Sequence, residues 1–179
     1  MRPSDDELRL LMAEYQQGSE EAFRELYMRT AAPIERCVRR WSDSERAADL
    51  TQEAFLQIHR ARRTYRPDSP LLPWMLAVAR HVALQYVRTR GRRITEAHSD
   101  EAMLDAAVDS GEAALLARHD LNEALKELPE DQREALWLTE IEGFSSAEIA
   151  RITGASEGAV RVRVTRARQK LRKVMEPAR

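Results

Sequence analysis

From Arg161 to Lys173 the chain carries seven positive charges and no acid, and the same stretch repeats an apolar residue every three or four positions. Val160, Val164, Ala167, Leu171 and Val174 fall on one face of an α-helix, while Arg161, Thr165, Arg168 and Arg172 form a parallel stripe on another. Such a segment must bury its apolar side against other structure and leave its basic side outward. Seven like charges exceed what solubility requires and mark the outer side as a surface for a polyanion. The residues upstream complete a pattern. Ser145-Ser146-Ala147-Glu148 has the form of a capping box, Ile149 and Ile152 are spaced to face inward, Thr153-Gly154-Ala155 makes a short turn, and Ser156 caps the next helix. This is a helix-turn-helix arrangement.

In such a motif the N-terminal half of the second helix reaches base edges in the major groove, where a guanidinium donates two hydrogen bonds to guanine. Arg161, Arg163 and Arg166 are the candidates for that role. Arg168, Lys170, Arg172 and Lys173 lie further along and are expected on phosphates, which gives salt-dependent affinity with little sequence information.

The rest of the chain is expected to be helical too. Its 179 residues suffice for one ordinary domain or two small ones, and 33% charged and 43% hydrophobic residues with six glycines suit helices with apolar stripes and solvated faces. One cysteine, Cys37, rules out an internal disulfide and reads as a core residue. The four histidines, His59, His81, His98 and His119, never reach metal-ligand spacing with one another or with the cysteine, so neither metal nor cofactor is expected. The N-terminus lacks a signal-peptide core and no apolar run is long enough to span a membrane, which predicts a cytoplasmic protein.

Charge divides the chain in three. Residues 1–93 hold 17 Arg against 13 acids, residues 94–120 hold one Arg against seven acids, and residues 121–179 hold 11 Lys and Arg against 10 acids. Two basic lobes flank an acidic bridge. The domains expected are 1–93, a linker at 94–111 where apolar periodicity fades, and 112–179.

Within the first lobe, Ser4-Asp5-Asp6-Glu7 reads as a capping box for a helix bearing Leu8, Leu11, Met12 and Tyr15, closed by Gly18. A second helix is expected after Ser19 with Ala22, Phe23, Leu26 and Tyr27, and a third from Pro33 with Ile34, Cys37, Val38 and Trp41. From Ser44 to about Arg63, Ala47, Ala48, Thr51, Ala54, Phe55 and Ile58 form an inner stripe. Asp49, Gln52, Glu53 and Leu56 share another face. Tyr65 to Pro73 reads as a loop with three prolines, followed by a long helix whose apolar face is Trp74, Met75, Val78, Val82 and Tyr86. The second lobe is expected to hold helices at 112–128, 129–142, 146–152 and 157–174.

Taken together, these segments resemble the extracytoplasmic-function group of the sigma-70 family over nearly the entire chain. Asp49-Leu50-Thr51-Gln52-Glu53-Ala54-Phe55 looks like that family's core-polymerase-binding helix, and the resemblance assigns Asp49, Gln52, Glu53 and Leu56 to core binding. Physically, that face accepts hydrogen bonds and ion pairs from a basic partner, with Leu56 as an apolar anchor. Pro73-Trp74-Met75-Leu76-Ala77-Val78-Ala79-Arg80, with Tyr86-Val87-Arg88 and Arg90-Gly91-Arg92-Arg93, is similar to the segment that binds the −10 element. In the family a base is flipped from the duplex into a pocket made by the preceding loop, which implies Asp68, Ser69, Leu71 and Leu72 here. His81, Gln85, Arg88 and Arg92 line one helical stripe suited to exposed bases and backbone. Trp74, on the apolar stripe, is expected in the core. The family commonly has asparagine at the His81 position, an aspartate or asparagine at Gln85, and an aromatic residue where Leu71 and Leu72 stand.

Leu128 to Leu136, Glu142 to Ser145 and Val160 to Arg168 look like the segment that reads the −35 element. That likeness implies DNA contacts from Ser156, Arg161, Val162, Arg163, Thr165, Arg166, Arg168 and Lys170. The partners implied are bacterial core RNA polymerase, promoter DNA and an anti-sigma protein, and the acidic linker is implied to thread polymerase channels. The fold class expected is all-α, two small helical domains on a flexible acidic linker. No nucleophile–base pair, phosphate-binding loop or paired-carboxylate site emerges, so no catalytic residue is expected. The alternatives are a helix-turn-helix regulator with a helical sensor lobe that acts without joining polymerase, and a helical scaffold.

Overall fold

The computed structural model describes residues 4–90 and 121–175, and every regular element among them is helical. The chain divides into two compact units, the first built on residues 1–98 and the second on most of the residues beyond. The acidic stretch 94–111, together with Arg92, His98 and His119, lies outside the described residues.

In the first unit α1 (Asp5–Gln16), α2 (Glu20–Arg39), α3 (Ser44–Ala61) and α4 (Leu71–Arg90) form a bundle, with a single 3-10 turn, Arg62–Thr64, after α3. Its core takes one stripe from each helix: Leu8 and Met12, Leu26 and Ile34, Ala54 and Ile58, Met75 and Leu76 are all essentially buried. Cys37 is buried among them, as its spacing predicts.

Three local readings are corrected. Pro33 does not start a helix but sits inside α2. Its missing amide and ring clash cost about 3 kcal/mol in a helix interior. The apolar stripe nevertheless stays in phase through it, and full burial of Leu26, Ile34 and Val38 is worth roughly 1.5–3 kcal/mol each. At the start of α1 the Ser4 side chain makes no capping bond. Glu7 is drawn away to Arg29 of α2, 2.6 Å from its Nη1. In α3 Ala48 is exposed and Leu50 takes the inner place. The helix is capped by Asp43, whose carboxylate accepts from the Arg46 amide at 2.9 Å.

The loop before α4 is shorter than its prolines suggest. Leu71, Leu72 and Pro73 form the first turn of the helix, where a proline is tolerated because those amides have no intrahelical partner. Trp74 is half-buried against Tyr65, ring centroids 5.3 Å apart.

The second unit contains helical residues 121–126, α5 (Glu130–Glu140), α6 (Ser146–Thr153) and α7 (Glu157–Met175). Leu125, Leu128, Leu136 and Ala167 form a buried cluster, with Leu121 and Leu171 against its edge. The capping box at Ser145 is complete: the Glu148 amide donates to Ser145 Oγ at 3.3 Å and the Ser145 amide to Glu148 Oε2 at 2.9 Å. Between α6 and α7, Gly154 closes the helix at φ 74°, a left-handed conformation that side chains resist. Ser156 then caps α7, accepting from the Ala159 amide at 3.2 Å.

An added Cβ at Gly154 or Gly158 meets nothing within 4 Å, so backbone conformation alone sets the effect of an alanine. Gly154→Ala should destabilise the second unit by about 1 kcal/mol, and Gly158→Ala, inside α7, should stabilise it by about 0.5 kcal/mol. Urea unfolding of the two variants should therefore shift the midpoint in opposite directions.

Candidate nucleic-acid interface

Three surfaces carry the residues singled out by sequence. On α3, steps of three, one and three bring Asp49, Gln52, Glu53 and Leu56 to one side. Asp49 and Gln52 are exposed and Glu53 is half-buried. Leu56 is 42% exposed, an unusual position for a large apolar residue in the middle of a helix. The acids are only lightly engaged: Asp49 lies 3.2 Å from Arg46 one turn away, and Glu53 accepts from Gln57 Nε2 at 2.6 Å.

Beside this face is an aromatic row whose members the sequence spacing assigns to separate core stripes. Tyr27, expected on the apolar stripe of its helix, is 40% exposed and packs on Phe55 with centroids 4.5 Å apart. Phe23 bridges Phe55 and Tyr15. The row borders a cleft of about 590 Å³ whose rim includes Arg24, His59 and Arg62. The Tyr15 hydroxyl pairs with His59 Nδ1. Burial pushes the Tyr15 pKa up, against the opposing charge of Arg62. The i, i+4 spacing of Phe23 and Tyr27, which places two rings on one helix face, was the available signal.

On the second surface, α4 presents His81, Gln85 and Arg88 to solvent. Gln85 Nε2 lies 2.9 Å from His81 Nε2 one turn away. Both rim a groove of about 450 Å³ between α3 and α4, floored by Trp74, Ala77 and Val78. In the loop Asp68 is exposed and Ser69 half-buried. Leu71 and Leu72 are corrected: at 0% and 2% exposure their side chains belong to the core and are not offered to a ligand. Tyr65 is buried beneath the loop and donates from its hydroxyl to the Ser69 carbonyl at 2.6 Å. That burial, reinforced by the Asp5 charge, raises its pKa.

The third surface is α7. Val160, Val164 and Ala167 are buried, so Arg161, Val162, Thr165, Arg166 and Arg168 face out, and Ser156 at the cap is exposed too. Val162 is 48% exposed. The run without acids in the sequence is not a run without acids in space. Arg163 Nε lies 2.9 Å from Asp131 at the start of α5, Arg168 holds Glu140 at 2.6 Å, and Lys170 lies 3.2 Å from Glu127. Arg161 pairs with Glu157 a turn earlier at 2.5 Å. Among the described residues Arg166, Arg172 and Lys173 carry no ion pair.

No group of side chains suited to a metal ion occurs among the described residues. Nor does any described helix have the length and apolar character to cross a membrane.

A helix-turn-helix with an outward basic helix, on a chain whose other unit presents an acid, amide and apolar face, defines a two-unit helical factor that binds DNA and a protein partner. The family model "Sigma-70 region 2" matches residues 26–93, and "Sigma-70, region 4" matches residues 118–171. The chain is 32% identical to the RNA polymerase sigma-H factor of Pseudomonas aeruginosa, covering 93% of each chain. It is 30% identical to the RNA polymerase sigma factor CarQ of Myxococcus xanthus, over 92% of this chain and 95% of that one, and 30% identical to the ECF RNA polymerase sigma-E factor of Escherichia coli, over 94% of each. Among solved structures, CnrH in complex with the cytosolic domain of CnrY matches with a TM-score of 0.70 at 24% identity, over 97% of this chain and 99% of that one. The sigma factor RpoE of Bartonella quintana, in complex with the anti-sigma factor NepR, matches with a TM-score of 0.64 at 25% identity, over 88% and 98%.

The chain belongs to the extracytoplasmic-function group of the sigma-70 family. It is an alternative sigma factor, which joins core RNA polymerase and directs initiation at particular promoters. A regulator with a sensor lobe leaves the match over residues 26–93 without a cause.

The pairing of α7 with α5 is measurable. In a double-mutant cycle of Asp131→Ala and Arg163→Ala, urea unfolding should give a coupling of about 0.5 kcal/mol for this partly exposed pair, shrinking as salt is added. A coupling of zero at low salt would mean the two side chains do not meet in solution.

Proposed function

We propose that the first unit docks on core polymerase through Asp49, Gln52, Glu53 and Leu56, with Tyr27 extending the apolar part of that contact. The same unit then takes an extruded −10 base at the loop containing Asp68 and Ser69, and tracks the adjoining strand with His81, Gln85 and Arg88. Its boundary at residue 93 follows the charge division of the chain, and the start of the second unit at 112 follows the return of apolar periodicity. The second unit reads −35 duplex from α7, with Arg161, Val162, Thr165 and Arg166 toward the bases and Arg168 and Lys170 toward phosphates. Ser156 stands at the edge of that contact, and Arg163 joins it with a guanidinium whose Nε is held by Asp131.

The observation that carries this reading is the outer α3 face, where carboxylates, an amide and Leu56 stand together and, among the described residues, pair only with neighbours one turn away on the same helix. A helix-turn-helix alone accounts for DNA binding, whereas this face accounts for a protein partner. Catalysis on this reading belongs to the polymerase, and the chain acts in the cytoplasm beside it. An anti-sigma protein, such as the partner named for the Bartonella quintana factor, is a further partner.

Reconstitution tests the assignment. Gln52→Ala and Glu53→Ala should each weaken core-polymerase binding about tenfold, near 1.4 kcal/mol, and leave −35 duplex binding by the chain unchanged; unaltered core affinity would remove the α3 face from the interface. In the second unit Arg166→Ala should cost roughly 1–3 kcal/mol on a selected promoter and relax its sequence preference. Lys173→Ala should instead flatten the salt dependence by about one unit of log–log slope. Equal effects of the two on all duplexes would remove the base-reading role.

A further inference from the structure

The loop between the 3-10 turn and α4 is held by side chains of α1. The residue before α4 is Pro70, which has no side-chain acceptor to cap the helix that follows. Asp5 provides the cap from 66 positions upstream: its Oδ1 accepts from the Leu71 amide at 2.8 Å. The other carboxylate oxygen lies 2.7 Å from Arg9 Nε, and the Arg9 charge acts on the Tyr65 hydroxyl as well, opposing the rise in its pKa. Tyr65 in turn donates to the Ser69 carbonyl. Gln16 closes the near end, donating from Nε2 to the Arg62 carbonyl at 2.6 Å and the Tyr65 carbonyl at 3.3 Å. Asp5 thus sits in the first turn of α1 and at the start of α4, where the amide ends of both helices favour its negative charge.

Both ends of the 65–71 segment are fastened to one helix, while Arg66, Pro67 and Asp68 between them remain exposed. A loop ordered beforehand loses less entropy when it takes up a ligand. We propose that Asp5, Arg9 and Gln16 are positioning residues for −10 strand capture: α1 sets the shape of the loop that receives the extruded base, without touching the DNA itself. This rests on the reading of the loop as the capture site.

The test uses holoenzyme reconstituted from full-length Asp5→Ala, Asp5→Asn and Gln16→Ala chains. Each is titrated with the single-stranded non-template −10 segment of a promoter selected by the unaltered holoenzyme, beside measurements of core affinity and thermal melting. Asp5→Ala and Gln16→Ala should each weaken strand binding about fivefold, the scale of one lost cap, with core affinity unchanged. Asp5→Asn keeps an oxygen for the Leu71 amide and should recover most of the loss. Should Asp5→Ala melt below the assay temperature, Gln16→Ala, whose two bonds end on the loop and the turn before it, decides the matter. Unchanged strand binding in the alanine variants, or equal losses of strand and core binding, overturns the proposal. A loop variant, Asp68→Ala with Ser69→Ala, separates the two claims. If it binds the strand like the unaltered protein, the capture reading falls and the proposal with it; if it binds weakly while the α1 variants do not, the positioning role alone falls.

Discussion

The packing of Ala167 into the Leu125, Leu128 and Leu136 cluster, continued by burial of Val160 and Val164, fixes the rotation of α7 about its axis. Because side chains on a helix advance by about 100° per residue, that one constraint decides which arginines face outward. The same logic governs α3. Ala47, Leu50, Ala54 and Ile58 go inward, and Asp49, Gln52, Glu53 and Leu56 are left outside as a consequence. Neither functional face is built separately from the core; each is the reverse side of a packed stripe.

Helix existence and facing were legible in the sequence for this reason. The 3.6-residue period of α3 and α7, the Ser145 box and the Gly154 turn are local signals, and local physics is enough to satisfy them. What was not legible depends on pairs far apart in the chain. Pro33 looks like a helix start until the stripe on either side is seen packed against α3 and α4. Ser4 and Glu7 form a capping box on paper, but Arg29 outcompetes the local bond. The charge run of α7 suggests a bare basic surface, and only the fold brings Asp131, Glu140 and Glu127 alongside it. Leu71 and Leu72 were misplaced because Pro70 and Pro73 resemble loop punctuation, whereas a proline also fits the first turn of a helix.

The two units solve opposite electrostatic problems with similar parts. On α3 Asp49 and Glu53 pair, among the described residues, within their own helix, so separating those pairs would cost little. On α7 the guanidinium and ammonium groups are partly satisfied across helices, which fixes long side chains that would otherwise be free. Arg166, exposed on the same helix, has no such ion pair among the described residues.

Those pairs, two to α5 and one to the turn at Glu127, make α7 a surface with resident competitors. Asp131, Glu140 and Glu127 occupy their cations when no nucleic acid is present, so binding a phosphate exchanges one anion for another instead of neutralising a bare charge. An exchange of this kind lowers the gain from a phosphate met by Arg168 or Lys170, whereas Arg172 and Lys173 have no such competitor among the described residues. A polyanion held through those two side chains is therefore released more readily than one held by cations with no acid beside them.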